Sequence, residues 1–412
     1  MSAVATLGLD PARAADPGRY RIGDRAPRLA LKPASSAEVA EALRAASTDQ
    51  LGVIPWGGGS QLARFEAPER FDVALDLSAL DRIVVYEPED LTVTAECGIT
   101  LGALHATLAD RGQELPLESP HAARSTLGGT LATNASGPRR LRLGAPRDRI
   151  LGARFALADG TLIRSGGQVV KNVAGFALHR LLCGSGGGLA VLLEASLKLL
   201  PGPEARVVLI YAATGEQLAD AERWERLPRL DPAFATVLGR AAADALGEPE
   251  AARAPFAVAV GLEDDMKVVA QQERTLGAAW GPPVARLEGA EAIALCRRLT
   301  EVQDQAQARL TFTSPHRVPA PIAPLLSLAG VERLVFHAPA GRLHWFPESG
   351  SAQAIVRGLA EHGFVLIGAR RAGDLEPVVA PQAAVRALRL RIREALDPGR
   401  VLALGERWAE SL

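Results

Sequence analysis

Four stretches of this 412-residue sequence concentrate glycine beside hydroxyl-bearing residues. They are "WGGGSQL" at 56–62, "STLGGTLATNASG" at 125–137, "KNVAGF" at 171–176 and "CGSGGGLAVLLE" at 183–194. Glycine lets backbone approach a ligand closely, and successive exposed N–H groups form a nest for an anion. One such segment is as readily a turn as a binding loop. Four in this order suit an extended ligand with a pyrophosphate and flat rings. Two commoner phosphate sites are excluded. A Walker loop needs a lysine after its last glycine, and none follows Gly59. A dinucleotide fingerprint runs from strand into helix, whereas the run at Gly184 lies between a predicted helix and a predicted strand.

Acid–base chemistry and anion clamping call on other residues. His121, His179, His337 and His344 are candidate bases, and Arg180, Arg309 and Arg342 are candidate carboxylate clamps. Arg342 and His344 sit together in "AGRLHWF", and His121 directly precedes the second glycine segment. Each taken singly is more often a surface or packing residue. His337 and His344 are seven apart and no His-x-His pair occurs, so no metal-ligand signature is present. Cys97, Cys183 and Cys296 form no CxxC pair, which argues against a disulfide framework, zinc or an iron–sulfur cluster. Cys97 and Cys183 read as small buried apolar residues.

These residues need elements to hold them. "PASSAEVAEALRAAS" at 33–47 reads as a capped amphipathic helix, with Ser35 or Ser36 as cap and Val39, Leu43 and Ala46 on one face. "LGVIPW", "DVALDL", "DRIVVYE" and "LTVTAECG" read as strands, and "TLGALHATLADRG" as a helix ended by Gly112. "ILGARFALADGTLIRSG" predicts two strands joined at Asp159-Gly160. After "PGPEA" at 201–205 the texture changes to alternating strands and helices, and "AAVRALRLRIREALDPGRVL" predicts a final helix. The length suits two or three domains. A net charge of −1 offers no overall attraction to nucleic acid or anionic lipid. The N-terminus lacks a signal-peptide pattern and no apolar run approaches the roughly 20 residues of a membrane span, so a cytoplasmic protein is expected.

The order and wording of the glycine segments resemble the FAD-binding domain of the vanillyl-alcohol oxidase and p-cresol methylhydroxylase type, over roughly residues 25–205. The resemblance implies an α+β fold: a two-part FAD-binding domain over 1–205 (parts at about 25–90 and 91–205) and an α+β cap over 206–380. A C-terminal helix and tail at 381–412 then return to the FAD domain. It implies that Trp56, Gly57, Gly58, Gly59, Ser60 and Gln61 cradle the FAD pyrophosphate through backbone N–H groups. "PHAARSTLGGTLATNASGPRRLRLGAPRD" is similar to the family stretch along the flavin and ribityl chain. By that likeness Pro120, Thr126, Gly128, Gly129, Thr133, Ala135, Ser136 and Gly137 approach the cofactor. Arg142 and Gly144 match the family's Arg-aromatic-Gly element, with Leu143 in place of the aromatic residue. Gly187 belongs to the last glycine turn, where Ala190 replaces a family glycine, and Val191 falls near the adenine. The family's tethering histidine is missing, since no histidine precedes His105, so the FAD is expected to be non-covalent.

Within that family, "VVKNVAGFALHRL" resembles the FAD-binding subunits of glycolate oxidase complexes, as do, more loosely, "RLTFTSP", "AGRLHWF" and "DPGRVL". "ALGERW" stands where the family ending differs. The likeness implies oxidation of glycolate or a related 2-hydroxy acid such as D-lactate, with His344, Arg342 and His121 as candidate catalytic residues. It further implies a paralogous catalytic FAD subunit and an iron–sulfur subunit as partners, through which the chain could sit at a membrane. Two alternatives stay open: an FAD-carrying structural or relay subunit, and a fold that has lost flavin.

Overall fold

The computed structural model describes residues 10–62, 68–168, 175–244, 247–305, 309–313, 325–326, 328, 330–338, 341–346, 351–370 and 383–404. Most of the "KNVAGF" segment, the end of "RLTFTSP" and the "ALGERW" tail lie outside them, as does the side chain of Arg309. The chain divides into two compact units. One comprises 1–136, 145–202 and 381–411; the other comprises 137–144 and 203–380.

The first unit begins with a three-stranded parallel sheet in the order β1-β3-β2: β1 (Leu29–Leu31), β2 (Val53–Trp56) and β3 (Val73–Asp76). Helix α1 (Ser36–Thr48) connects β1 to β2. The Ser35 hydroxyl accepts from the Glu38 amide at 3.2 Å, one of the donors a helix start leaves unpaired. The Glu38 carboxylate in turn accepts from the Ala34 amide at 2.9 Å. Val39, Leu43 and Ala46 share the buried face of α1 and pack on Val53, Val73 and Leu75. Each large apolar side chain buried in this way contributes on the order of 1.5–3 kcal/mol.

A five-stranded antiparallel sheet follows, ordered β4-β5-β9-β7-β8. Its strands are β4 (Ile83–Glu87), β5 (Thr92–Glu96), β7 (Ile150–Ala156), β8 (Leu162–Gly166) and β9 (Val191–Lys198). The two-residue strands β6 (Gln113–Glu114) and β10 (Leu200–Pro201) pair with each other. The turn from β7 to β8 falls at Asp159-Gly160, where Gly160 takes φ +81° and the Asp159 carboxylate accepts from Thr161 N at 2.8 Å. One sheet face carries Val93, Ala95, Ala195 and Leu197 against α2 (Leu101–Ala109), α3 (Leu127–Thr133) and α4 (Leu178–Leu182). Alternation sends Thr94 and Ser196 to the opposite face, where their hydroxyls lie 2.8 Å apart.

The helix Ala383–Leu396 returns the chain to this unit. Just beyond it the buried Asp397 carboxylate accepts from Val401 N at 2.8 Å and Leu402 N at 2.9 Å. The segment then bonds β2, Val53 N donating to Val401 O at 2.7 Å.

The second unit is built on an eight-stranded antiparallel sheet ordered β14-β11-β13-β12-β16-β17-β15-β18. In chain order its strands are β11 (Ala205–Ala213), β12 (Phe234–Gly239), β13 (Phe256–Asp264) and β14 (Ala285–Glu288), then β15 (Arg309–Thr313), β16 (Leu334–His337), β17 (Arg342–Trp345) and β18 (Val365–Arg370). Helices α5 (Met266–Trp280) and α7 (Ala352–Glu361) cover the face of Leu209, Val260 and Leu343. Helix α6 (Gly289–Gln305) covers the face of Val208, Ala259 and Val335. An arrangement of mixed helix and sheet agrees with the α+β class.

The segment Gly137–Gly144 groups with the second unit, although the sequence on either side groups with the first. Its arginines explain this. Arg139 and Arg206 both reach the buried Glu263 carboxylate, at 3.0 and 2.7 Å. Arg142 pairs with Asp264 at 2.9 Å and Asp231 at 3.2 Å.

Candidate functional site

Strand β2 delivers the first glycine segment. Val53, Ile54 and Trp56 are buried in the parallel sheet, so the chain leaves Trp56 from a fixed point. Tyr20 meets the Trp56 ring edge-on at 5.2 Å, and Phe71 lies parallel to it at 6.3 Å. Among the described residues no backbone carbonyl accepts from the amides of Gly57, Gly58, Gly59 or Ser60. Those donors are available to a ligand.

The second segment meets the first edge to edge. A Cβ on Gly57 would stand 2.2 Å from Thr126 Oγ1, and one on Gly58 only 1.7 Å from the Arg124 carbonyl oxygen. Two of the three consecutive glycines are therefore required by loop packing whether or not a ligand is bound. Gly129 differs, because its Cβ would meet only Thr126 Oγ1, at 3.2 Å. Here the missing side chain leaves room in the cleft. Thr126 caps α3 by accepting from Gly129 N at 3.2 Å, and Asn134 ends that helix in the left-handed conformation.

Together these loops wall an open cleft inside the first unit. Trp56, Gly57, Gly58, Gly59, Ser60 and Gln61 line one side; Thr126, Gly128, Gly129 and Thr133 line another, and Gly187 a third. Unpaired amides, a wall without side chains and mixed apolar and hydroxyl surface fit an extended group with a pyrophosphate and flat rings. FAD is such a group.

The remaining cofactor-site candidates sit elsewhere. Pro120 meets the cleft indirectly, its carbonyl accepting from the Ser125 hydroxyl at 2.5 Å. Ala135 and Ser136 follow α3 outside the cleft lining, and Gly137, Arg142 and Gly144 belong to the second unit, where Arg142 is held by its ion pairs. Val191 is fully buried against the α1 core, while its neighbours Ala190 and Leu192 line the cleft.

Some features escaped the sequence reading. Cys97 lines the cleft, buried, with its carbonyl accepting from Gly128 N at 2.7 Å. Burial raises its thiol well above the ordinary range and pushes Cys183 up to about 12, so neither is a thiolate near neutrality. Ser119 and Ser125, both buried, form a hydroxyl cluster with Ser60, and the only hint in sequence was a serine beside each glycine run.

The acid–base candidates divide between the units. His121 is an exposed turn residue with φ +57°, and its carbonyl accepts from Arg124 N and Ser125 N, both at 2.8 Å. His179 is buried beside Ser165, with Nδ1 3.0 Å from the hydroxyl, and burial holds it below the ordinary histidine range; Arg180 next to it is exposed. Arg342 and His344 share one face of β17 in the second unit. His337 lies opposite Arg342 on β16, which places its ring on the same face, 5.7 Å from that of His344. A polar row results: Thr236 with His337 Nδ1 at 2.8 Å, then His344 Nδ1 with Thr311 at 3.1 Å. Burial first, and Arg342 second, push His337 down to about 3. No group of three or more His, Cys, Asp or Glu residues gathers into a metal-holding cluster among the described residues.

Residues 27–166 match the FAD binding domain family. The glycolate oxidase subunit GlcE of Escherichia coli is 41% identical over 156 residues, covering 37% of this chain and 45% of that protein. The D-lactate dehydrogenase of Archaeoglobus fulgidus is 34% identical over 189 residues, covering 45% of this chain and 42% of that one. The chain thus spans less than half the length of these relatives. Substrate-bound p-cresol methylhydroxylase superposes with a TM-score of 0.72 at 14% identity, covering 94% of this chain and 89% of that one. Residues 27–166 thus carry an FAD-binding domain, and the chain has the fold of p-cresol methylhydroxylase.

Proposed function

We propose that this chain is an FAD-dependent 2-hydroxy-acid oxidoreductase that works as a subunit of a glycolate oxidase type of complex. Its substrate is glycolate or a close relative such as D-lactate, oxidised to the 2-oxo acid. The observation that carries the reading is the glycine-walled cleft inside a matched FAD-binding domain, in a chain whose relatives are named as a glycolate oxidase subunit and a D-lactate dehydrogenase. The second unit serves as the cap, a paralogous FAD subunit and an iron–sulfur subunit are the partners, and the complex works in the cytoplasm.

Bound non-covalently in the cleft, FAD would supply the two-electron oxidising power for the substrate α-carbon. The chain's part is to bind and orient. Gly57, Gly58 and Gly59 offer amides to the pyrophosphate. Arg342 offers a planar guanidinium to the substrate carboxylate, and His344 Nε2 receives the hydroxyl proton, with His121 as the other candidate base.

The burial of His344 supports a second reading. Only 3% of it is accessible and its Nδ1 is engaged with Thr311, so the ring is placed as an interior group. On that reading the chain carries FAD while a partner subunit turns over substrate. One experiment separates the two. Purified chain should show a flavin absorbance band, and anaerobic glycolate or D-lactate should bleach it. A band that persists with either acid leaves the FAD-carrying role, and colourless protein that takes up no added FAD defeats both.

A further inference from the structure

Proton bookkeeping around the cleft yields a role for Gln61. The Ser125 hydroxyl lies 2.5 Å from the Pro120 carbonyl oxygen, which can only accept, so the one proton of Ser125 is committed there. Ser119 and Ser60, 3.1 and 2.8 Å from Ser125 Oγ, must then both donate to it. With its own proton spent, Ser119 can only accept from Gln61, whose Nε2 lies 3.5 Å away. With Ser119 donating to Ser125, only the amide nitrogen of Gln61 can meet Ser119 across this contact. The amide nitrogen of Gln61 is thereby turned to Ser119 and its carbonyl oxygen away. That oxygen is buried and has no hydrogen-bond partner among the described residues, in a side chain only 5% accessible on the cleft wall.

An acceptor fixed in this way cannot serve a phosphate oxygen, which is also an acceptor. We infer that Gln61 Oε1 accepts a hydrogen bond from a sugar or ribityl hydroxyl of the bound FAD, next to the pyrophosphate at the glycine amides. The assignment rests on the cleft being the FAD site. It follows from position: Gln61 is two residues beyond Gly59, and in FAD the hydroxyl groups nearest the pyrophosphate are those of the ribose and the ribityl chain. Ser125 is then a positioning residue, acting through Ser119 on the amide. It divides the loop in two, with amides for the anion and one side-chain carbonyl for a donor.

The test pairs FAD affinity with apoprotein stability. Replacing a buried, unpaired acceptor by an apolar side chain of similar shape removes a desolvation cost, so the Gln61→Met apoprotein should melt at or above the wild-type temperature. The same variant should bind FAD about tenfold or more weakly by flavin fluorescence titration, since the hydroxyl loses its acceptor. Ser125→Ala should also weaken FAD binding, and its effect should shrink in the Gln61→Met background, since both act through one bond. Inorganic pyrophosphate is the control: as a competitor it should bind wild type and Gln61→Met alike. Unchanged FAD affinity in a folded Gln61→Met protein overturns the assignment, as does an equal loss for FAD and pyrophosphate. Wild-type protein that takes up no FAD would instead defeat the cofactor site on which the assignment stands.

Discussion

His337 shows how one residue ties a polar row to stability. It is buried, bonded to Thr236 and pushed down to about 3, against about 6.5 for an ordinary histidine. A folded-state value below the unfolded one means that the unfolded chain binds the extra proton first. The stability contributed by neutral His337 is therefore complete above about pH 6.5 and is lost as pH falls from there toward 3. Between pH 7 and pH 5 the loss is about 2 kcal/mol, because the folded form stays neutral across that range. Urea unfolding of wild type and His337→Asn at both pH values checks it. Wild type should lose roughly this amount more than the variant, and equal pH sensitivity would show that His337 is not held neutral. If His344 takes up a proton as proposed, its ring centroid lies 5.7 Å from that of His337, so keeping His337 uncharged removes a repulsion.

At the scale of elements, the cleft depends on strand β2, and β2 is held from two directions. Strand β3 pairs along its length, while the C-terminal segment adds Val401 and Ala403 to the bonding of Val53. That segment is shaped by Asp397, whose two carboxylate oxygens each take a buried backbone amide. Asp397→Ala would leave both amides unpaired and should cost about 2–4 kcal/mol. Asp397→Asn, which keeps one acceptor, should cost less. Thermal melts of the two variants, with FAD affinity measured on each, test whether the tail supports the loop; a neutral Asp397→Ala would refute it. The helix at 36–48 and the turn at Asp159-Gly160 were legible because capping and turn chemistry are local. The Ser60–Ser125 contact joins positions 65 apart and the buried Arg139–Glu263 pair positions 124 apart, so no local pattern could announce them. The glycine loops lie between: their composition suggested a binding surface, and the packing of Gly57 and Gly58 on 124–126 shows that part of the signal was structural.

For the whole molecule, the division into units separates two linkages. All residues lining the cleft belong to the first unit, so FAD bound there as proposed would add stability to that unit by mass action, about 2.7 kcal/mol at a hundred times its dissociation constant. Acid acts on both units. His179 in the first is held below the ordinary range by burial, and so is His337 in the second. Both therefore favour unfolding as pH falls below about 6.5. FAD can offset the loss only in the unit that binds it. Limited proteolysis at pH 5.5, with and without saturating FAD, should then show unequal protection. Cleavage within 68–136 and 145–168 should slow several-fold with FAD, as expected when opening precedes cutting, while cleavage within 203–305 keeps its rate. Equal protection of both regions would mean that the two units open as one, and the independent linkages would fall. Protection confined to 203–305 would place the cofactor in the wrong unit and remove the basis for assigning Gln61 to it.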